Sequence, residues 1–168
     1  MNRFILPFIT TSALIFGVFL PKEIAAQTTA KNLVGTWTLV SVTVEQDGKK
    51  SDLFGPNPRG QVTFGPNGRM SFIITRSDIP KFASNNRQAG TPEENKAVVQ
   101  GSIAYFGMYS VSNRAKTFTV HIEGTTFPNW IGTDQKRPFT ISGGELKWTT
   151  PITSLGSGTA LDVWKRAK

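Results

Sequence analysis

The chain has 168 residues, of which 38% are hydrophobic and 11% aromatic, and its formal net charge is +8. This length is typical of one domain with its own core, and the composition excludes an intrinsically disordered protein. The chain contains no cysteine and a single histidine, which excludes disulfide bonds, a thiol nucleophile and the usual zinc sites, so we expect no metal and no cofactor.

The first residues have the composition of an export signal. A positive start at Arg3 precedes an apolar stretch, Phe4 to Leu20, and small residues follow at Ala25 and Ala26. This order predicts a signal peptide over residues 1–26 that is cleaved after Ala26. An uncleaved membrane anchor is the alternative, since the apolar stretch lies at the lower end of the length that spans a bilayer, about 17 to 25 residues.

Behind the signal, the sequence predicts a short polar lead, residues 27–32, and a single domain, residues 33–168. No cysteine follows the signal to carry a lipid anchor, so we expect no stable membrane insertion after cleavage. The expected location is therefore the periplasm or the external medium. No feature of the sequence specifies an oligomeric state.

Strand-forming segments recur along the whole of this domain. Turn residues separate several of them, at Asp47-Gly48, at residues 65–68 and at Gly143-Gly144. About eight to ten short strands of this kind are typical of an antiparallel barrel or sandwich. The clearest segments, in chain order, are Leu33–Glu45, Gln61–Phe64, Arg69–Thr75, Ala104–Val111, Thr117–Glu123, Phe139–Ser142, Glu145–Thr149 and Thr159–Arg166.

One segment breaks the β pattern. At Thr91 a hydroxyl can accept from the backbone amide of Glu94 while the Glu94 carboxylate reaches back, and the intervening proline suits the first helical position. This capping box predicts a short helix over Pro92–Gln100. The polar stretch before it, residues 77–90, is either a flap over an opening or a surface loop.

The predicted strand Thr117–Glu123 alternates apolar and polar residues. Phe118, Val120 and Ile122 point to one face, and His121 points to the other. In a closed sheet, one of these faces lines the interior. Either the three apolar side chains fill the barrel and His121 faces water, or the polar face lines a ligand pocket.

A Gly-x-Trp motif, Gly35-Thr36-Trp37, lies in the first predicted strand, shortly after the expected mature start. Further aromatic and basic clusters follow it along the chain. In their order and spacing they resemble the bacterial and fungal lipocalin-like domain family, from Leu33 to the end of the chain. The clusters are Tyr105–Tyr109, Val120–Glu123, Phe127–Trp130, Gln135–Arg137 and Val163–Arg166.

The resemblance implies an all-β fold, an antiparallel up-and-down β-barrel of about eight to ten strands with one short helix and a cavity. In lipocalins the signature tryptophan packs at the closed base of the barrel, and a basic residue of the last strand lies across it. Here those structural roles fall to Gly35, to Trp37 and to either Arg166 or Lys165. A cation–π contact of this kind contributes about 0.5 to 2 kcal/mol.

The resemblance also favours the pocket side of the barrel for His121, while Trp130 and Arg137 are expected at one rim. A guanidinium there can pair with a carboxylate; alternatively, Arg137 only braces the bend at Trp130. Tyr105 and Tyr109 share strand parity, and they either pack in the core or add hydroxyl groups to the pocket. The predicted ligand-binding residues are therefore Tyr105, Tyr109, His121, Trp130 and Arg137.

Two functions depend on such a pocket. The first is an exported binding protein that carries a small hydrophobic or amphipathic molecule, including one that bears a carboxylate, in a void of about 300 Å³ or more. The second is an enzyme resembling an isomerase, cyclase or hydrolase, in which His121 is the catalytic base. The enzyme hypothesis requires His121 to face the cavity, and it fails if this side chain points to solvent.

A third function, an envelope interaction module, depends on the basic surface, which can meet anionic lipid or polysaccharide. The basic residues occur as scattered singles and pairs, such as Lys49-Lys50 and Lys165-Arg166, and not as a continuous stripe. This distribution is typical of a solvated surface, so we expect no nucleic-acid partner.

Overall fold

The structure is a computed structural model that describes residues 30–168. The predicted signal peptide, residues 1–26, and the first part of the polar lead lie outside the described residues. Residues 30–33 are helical and lead into the first strand. In the described part of the chain, no helix is long and apolar enough to cross a membrane.

Besides the helical residues 30–33, the described fold consists of nine strands, one α-helix and one short 3-10 helix. Buried and exposed side chains alternate along the barrel strands, because each strand presents one face to the interior and one to solvent. The strands are β1 (Gly35–Gln46), β2 (Lys49–Asp52), β3 (Arg59–Phe64), β4 (Arg69–Thr75), β5 (Ser102–Ser112), β6 (Thr117–Thr125), β7 (Asp134–Ser142), β8 (Glu145–Thr150) and β9 (Thr159–Arg166). The helix α1 (Pro92–Gly101) lies between β4 and β5, and the 3-10 helix (Pro128–Trp130) lies between β6 and β7.

Pairing between the first and last strands closes the sheet. From β3 to β9 each strand pairs with the next along the chain, and β1 pairs with β3 through one edge and with β9 through the other. The result is a closed eight-stranded antiparallel barrel, with β2 as an extra strand beside the far half of β1. The predicted all-β, up-and-down lipocalin-like barrel with few helices is confirmed.

Several strand ends differ from the prediction. β2 was not predicted, because all of its side chains are exposed and its sequence carries no apolar face. β7 begins at Asp134 rather than at Phe139; its first half was not predicted because residues 134–137 are all charged or polar. Leu33 belongs to the helical residues and not to β1, and its side chain is fully buried.

The predicted capping box is present at the start of α1. Thr91 Oγ1 accepts from the Glu94 amide at 3.2 Å, and a Glu94 carboxylate oxygen accepts from the Thr91 amide at 2.8 Å. The other Glu94 oxygen accepts from the Ala83 amide at 2.8 Å, which ties the preceding loop to the helix. These hydrogen bonds, from Ala83 and then from Thr91, lower the pKa of Glu94. Residues 77–90 are mostly exposed and do not line the small cavity inside the barrel, which favours the surface loop over the flap.

The two ends of the barrel differ in their connections. At one end, which we call the closed end, β1 begins and β9 ends. The tight turns at this end are residues 65–68, 113–116 and 143–144. The opposite end, which we call the open end, carries the longer connections, residues 53–58, 76–101, 126–133 and 151–158.

Trp37 plugs the closed end. Its side chain is fully buried, and its Nε1 donates to the carbonyl oxygen of Leu33 at 2.9 Å. The Arg166 guanidinium lies 4.2 Å from the centre of the Trp37 ring, and its Nη1 donates to Val34 O at 3.1 Å. Gly35, with φ of 125°, leaves room for this guanidinium, because a Cβ there would lie 2.7 Å from Nη1. Of the two basic residues considered, the structure places Arg166 over the ring.

We predict that Gly107→Ala destabilises the barrel by about 2 kcal/mol or more. Gly107 lies at a register shift between β5 and β6, where an added Cβ would collide with the backbone carbonyl oxygen of His121. A backbone atom within a sheet cannot swing aside as the end of a flexible side chain can. Urea unfolding of the purified protein measures the loss.

Met108→Ala is the matched control, because Met108 is the next residue on β5 and its side chain is exposed. A change within about 0.5 kcal/mol is expected for it. Coincident unfolding curves for Gly107→Ala and the wild type would contradict the collision.

Candidate ligand-binding site

A small cavity lies at the open end of the barrel. Its volume is about 40 Å³. Its apolar walls include Phe72, Ile74, Ile103 and Trp148, which come from β4, β5 and β8. Its polar lining consists of Tyr105, Arg137, Thr150, Thr153, Ser154 and Asp162.

Aromatic rings fill the rest of the interior. Trp148 stacks on Trp164 with ring centroids 4.8 Å apart, and Phe118 meets Trp148 edge to face at 5.4 Å. Phe64 packs against Phe118 at 5.3 Å, toward the closed end. Because so many inward positions hold large rings, the void is much smaller than the about 300 Å³ expected of a ligand pocket. The expectation of a void of about 300 Å³ or more is therefore wrong.

Arg137 is a buried cation in this cavity. Alternation along β7 turns it inward on the same face as Phe139, and it is only 2% exposed. Its Nη1 donates to Gln135 Oε1 at 3.3 Å and to Lys136 O at 3.2 Å, whereas its Nε has no acceptor within the described part of the chain. The guanidinium carries five N–H donors, so part of its hydrogen-bonding capacity remains unused. The expectation of a rim position ahead of a strand is wrong, because Arg137 lies within β7.

Asp162 lines the same cavity from β9 and is 4% exposed. Its Oδ2 accepts from the Thr150 hydroxyl at 3.3 Å. Burial raises the pKa of Asp162 to about 7, and the positive charge of Arg137 and the hydrogen-bonding side chains of Thr150 and Trp148 offset this only in part. Near neutral pH the carboxyl group is therefore divided between its neutral and charged forms.

Tyr105 and Trp130 line the cavity on the side of the 3-10 helix. Tyr105 is buried and stacks on Phe72, with ring centroids 4.4 Å apart. Burial raises the pKa of Tyr105 well above its usual value, against the opposing effect of the Arg137 charge, so the hydroxyl stays neutral. Trp130 is half-buried and meets Tyr105 edge to face at 6.1 Å, which places the indole at the mouth.

His121, a predicted ligand-binding residue, lies outside the barrel. Its side chain is 53% exposed on the outer face of β6, and its Nδ1 is 2.8 Å from Asp134 Oδ1. The inward face of β6 carries Phe118, Val120 and Ile122, all fully buried. The expectation that His121 lines the pocket is wrong, and the hypothesis of a catalytic His121 in the cavity fails with it.

Tyr109, another predicted ligand-binding residue, lies toward the closed end. Its hydroxyl donates to Gly65 O at 2.9 Å, and its ring meets Phe64 edge to face at 5.1 Å. It supports the turn between β3 and β4 and does not line the cavity. Of the five predicted residues, the structure brings together three in the cavity lining: Tyr105, Trp130 and Arg137.

Asp162 was missed by reasoning from the sequence. Ala160 and Trp164 share its parity along β9, and both are buried. This shared parity was the available signal. Leu161 and Val163 on the other face made the strand look apolar on both sides, so no single face stood out.

The cavity suits an organic ligand better than a metal ion. Within residues 30–168, no three His, Cys, Asp or Glu side chains are grouped so that they could hold a metal. The polar groups that converge on the cavity are a guanidinium, a carboxyl group and hydroxyls, surrounded by aromatic and aliphatic walls. Such a combination orients a small molecule by a few hydrogen bonds inside an apolar pocket.

We predict that the free energy of unfolding of the wild type, relative to Asp162→Asn, falls as pH rises from about 4 to about 7. The folded protein holds a proton on Asp162 that the unfolded chain releases, because the pKa rises from 3.8 to about 7 on folding. The stability from this group is therefore complete below the unfolded pKa and is lost as pH rises through the folded pKa. The full change is on the order of 4 kcal/mol.

Urea unfolding of both proteins across this pH range measures the difference in free energy. Asparagine keeps the shape of the side chain and cannot titrate, so it serves as the reference. A difference that stays constant across the range would show that Asp162 keeps its usual pKa.

The chain is similar to the 4'-hydroxy-3'-methoxypropiophenone carrier protein ppsC of Aspergillus oryzae, with 32% identity over 87 residues. The aligned region covers 48% of this chain and 78% of that carrier protein. Among solved structures, a mutant of the fluorescent protein UnaG matches with a TM-score of 0.38 and 12% identity, covering 82% of this chain and 98% of that chain.

The sequence model of the lipocalin-like domain family matches residues 34–167. This range includes the Gly35–Trp37 motif, the strands that close the barrel, and both buried charged residues of the cavity, Arg137 and Asp162. The chain therefore belongs to the lipocalin-like domain family.

Proposed function

We propose that this protein binds and carries a small molecule with an aromatic or other apolar body and a polar end, held at the open end of the barrel. The observation that carries the proposal is the buried Arg137 guanidinium, which lines the cavity with its Nε unpaired among the described residues. Like other ions, a cation buried in a protein destabilises the folded state by several kcal/mol unless hydrogen-bond acceptors satisfy its donors. A ligand oxygen in the cavity supplies such an acceptor.

The walls of the cavity support an aromatic or apolar ligand body. Phe72 and Tyr105 present stacked rings on one side, and Trp148 closes the floor. Aromatic side chains contribute large apolar area and accept edge-to-face or offset stacking from another ring. The carrier protein from Aspergillus oryzae has, by its name, a hydroxylated aryl ketone as its cargo, and this chemistry is of the same class.

The volume of about 40 Å³ admits a few water molecules and not a ring, so binding requires movement at the mouth. Trp130 is the side chain best placed to move, because it is half-buried and lies on a short 3-10 helix between two strands. The connection of residues 151–158 borders the other side of the mouth through Thr153 and Ser154. We infer that the ligand enters by displacing these mouth elements while the aromatic floor stays in place.

Arg137→Met is expected to weaken binding of 4'-hydroxy-3'-methoxypropiophenone by about tenfold or more, because a hydrogen bond to a charged group contributes about 1.5 to 3 kcal/mol. Methionine keeps an unbranched stem and removes the donors. The quenching of tryptophan fluorescence on titration measures the affinity, since Trp130 and Trp148 both line the cavity. The native mass spectrum of the mixture gives the stoichiometry, with one ligand per chain expected.

Lys136→Met is the matched control, because Lys136 is the adjacent residue on β7 and its side chain faces solvent. His121→Ala is a second control on the outer surface of the barrel. Both are expected to bind within about twofold of the wild type. If Arg137→Met, folded as judged by circular dichroism, bound as tightly as the controls, the guanidinium would not hold the ligand.

We propose further that the carrier acts outside the cytoplasm, in the periplasm or the medium. The support is the sequence of the first 26 residues, with a positive start, the apolar stretch Phe4 to Leu20 and the small residues before Gln27. An exported domain without cysteine depends on its core alone for stability, and the aromatic filling of the closed half of the barrel meets that need.

Expression of the full chain in a bacterial host with a separated periplasmic fraction tests the export. The recovered protein is expected to begin at Gln27, as read by intact mass and N-terminal sequencing. Recovery of the whole chain from Met1 in the cytoplasmic or membrane fraction would contradict cleavage and export.

A further inference from the structure

We infer that Asp162, in its charged form, is a second polar anchor of the cavity beside Arg137, so that the protein selects neutral ligands bearing both a hydroxyl group and a carbonyl oxygen over carboxylates of the same size. This inference rests on the proposed function and deepens it by naming the class of ligand.

The placement of the two charges carries the inference. Arg137 on β7 and Asp162 on β9 line the same cavity, and each is more than nine-tenths buried. In the described part of the chain they form no direct ion pair with each other. Two opposite charges that line one cavity without an ion pair can each bind a group of the same ligand, a donor at Asp162 and an acceptor at Arg137.

Asp162 has hydrogen-bonding capacity to spare. Its side chain accepts from the Thr150 hydroxyl at 3.3 Å, and a carboxylate offers about four acceptor positions. Its neighbours in register are Val42 on β1 and Trp148 on β8, both of which line the cavity. A ligand hydroxyl that enters the cavity therefore meets an acceptor with open positions inside apolar walls.

Above the pKa of Asp162, the sum of the charges in the cavity favours a neutral ligand. Arg137 and Asp162 offset one another, so the cavity does not require a counter-ion from outside. A carboxylate ligand places a second negative charge near Asp162 in a poorly solvated site, where like charges repel strongly. A hydroxyl donates to Asp162 while a carbonyl on the same ring accepts from Arg137, and both buried groups are then satisfied.

Three single-ring probes of similar size separate these possibilities: 3'-hydroxyacetophenone, acetophenone and benzoate. Their affinities for the wild type and for Asp162→Asn are measured by calorimetry at about pH 8, above the pKa of Asp162 of about 7. The wild type is expected to bind 3'-hydroxyacetophenone about tenfold more tightly than acetophenone, and benzoate most weakly. In Asp162→Asn the preference for the hydroxyl is expected to shrink by at least about threefold, and benzoate binding to strengthen by about tenfold.

A pH series on the wild type gives a second readout that needs no variant. The titratable groups lining the cavity are Tyr105 on β5, Arg137 on β7 and Asp162 on β9. As pH falls from about 8 to about 6, protonation of Asp162 removes the repulsion, so benzoate binding is expected to strengthen while acetophenone binding stays constant. This series supports or overturns the inference even where Asp162→Asn does not fold.

The outcomes distinguish the two proposals. If the wild type binds the probes but does not distinguish 3'-hydroxyacetophenone from acetophenone, and benzoate affinity does not change with pH, Asp162 is no anchor while the carrier function stands. If Asp162→Asn weakens all three probes by one common factor, the residue only supports the cavity wall, and the inference is again overturned. If none of the three probes binds the wild type, the proposed function fails and the inference falls with it.

Discussion

The pairing of β1 with β9 determines where every other part of this protein lies. It joins the two ends of the sheet, so that no long edge remains open and every inward side chain enters a single interior. Within this closed sheet, the charged residues of the cavity come from nearby strands. Arg137 on β7 and Asp162 on β9 are separated by one strand only, β8, whose own inward residues, Trp148 and Thr150, lie between them.

The interior so enclosed is divided between stability and binding. Toward the closed end, Trp37, Phe64, Phe118 and Trp164 are all fully buried or nearly so, and Arg166 covers the base. Burial of large aromatic side chains of this kind contributes a few kcal/mol each, roughly 1.5 to 3. Toward the open end the barrel carries a guanidinium on β7 and a carboxyl group on β9 that lack full partners. A core this apolar at one end offsets the cost of incompletely paired charges at the other, where the proposed ligand would supply the missing partners.

The position of His121 on the outer surface follows from the alternation of side chains along β6. His121 lies between Val120 and Ile122, both fully buried, yet its own side chain faces solvent and pairs with Asp134. One position along β6 therefore separates core from surface, because successive side chains point to opposite faces. The chemistry of the cavity comes instead from β5, β7 and β9, through Tyr105, Arg137 and Asp162.

The sequence by itself determined the all-β class, most of the strands, the capped helix, the tight turns and the tryptophan motif of the first strand. These depend on local patterns: alternation in Thr117–Glu123, glycine-rich turns, the Thr91 capping box and the motif around Trp37. Each of these signals is complete within a few residues. A local pattern of this kind can therefore be interpreted without knowing which strands become neighbours.

Only the tertiary structure decided which face of each strand looks inward and which polar groups meet. In β6 the two faces are equally regular, and closure of the barrel alone turned the apolar one inside. β9 carries apolar residues on both faces, so the register with β1 and β8 decided which face, and with it Asp162, was buried. The volume of the cavity could not be predicted from the sequence either. It is the space that aromatic side chains from several strands leave after they pack against one another.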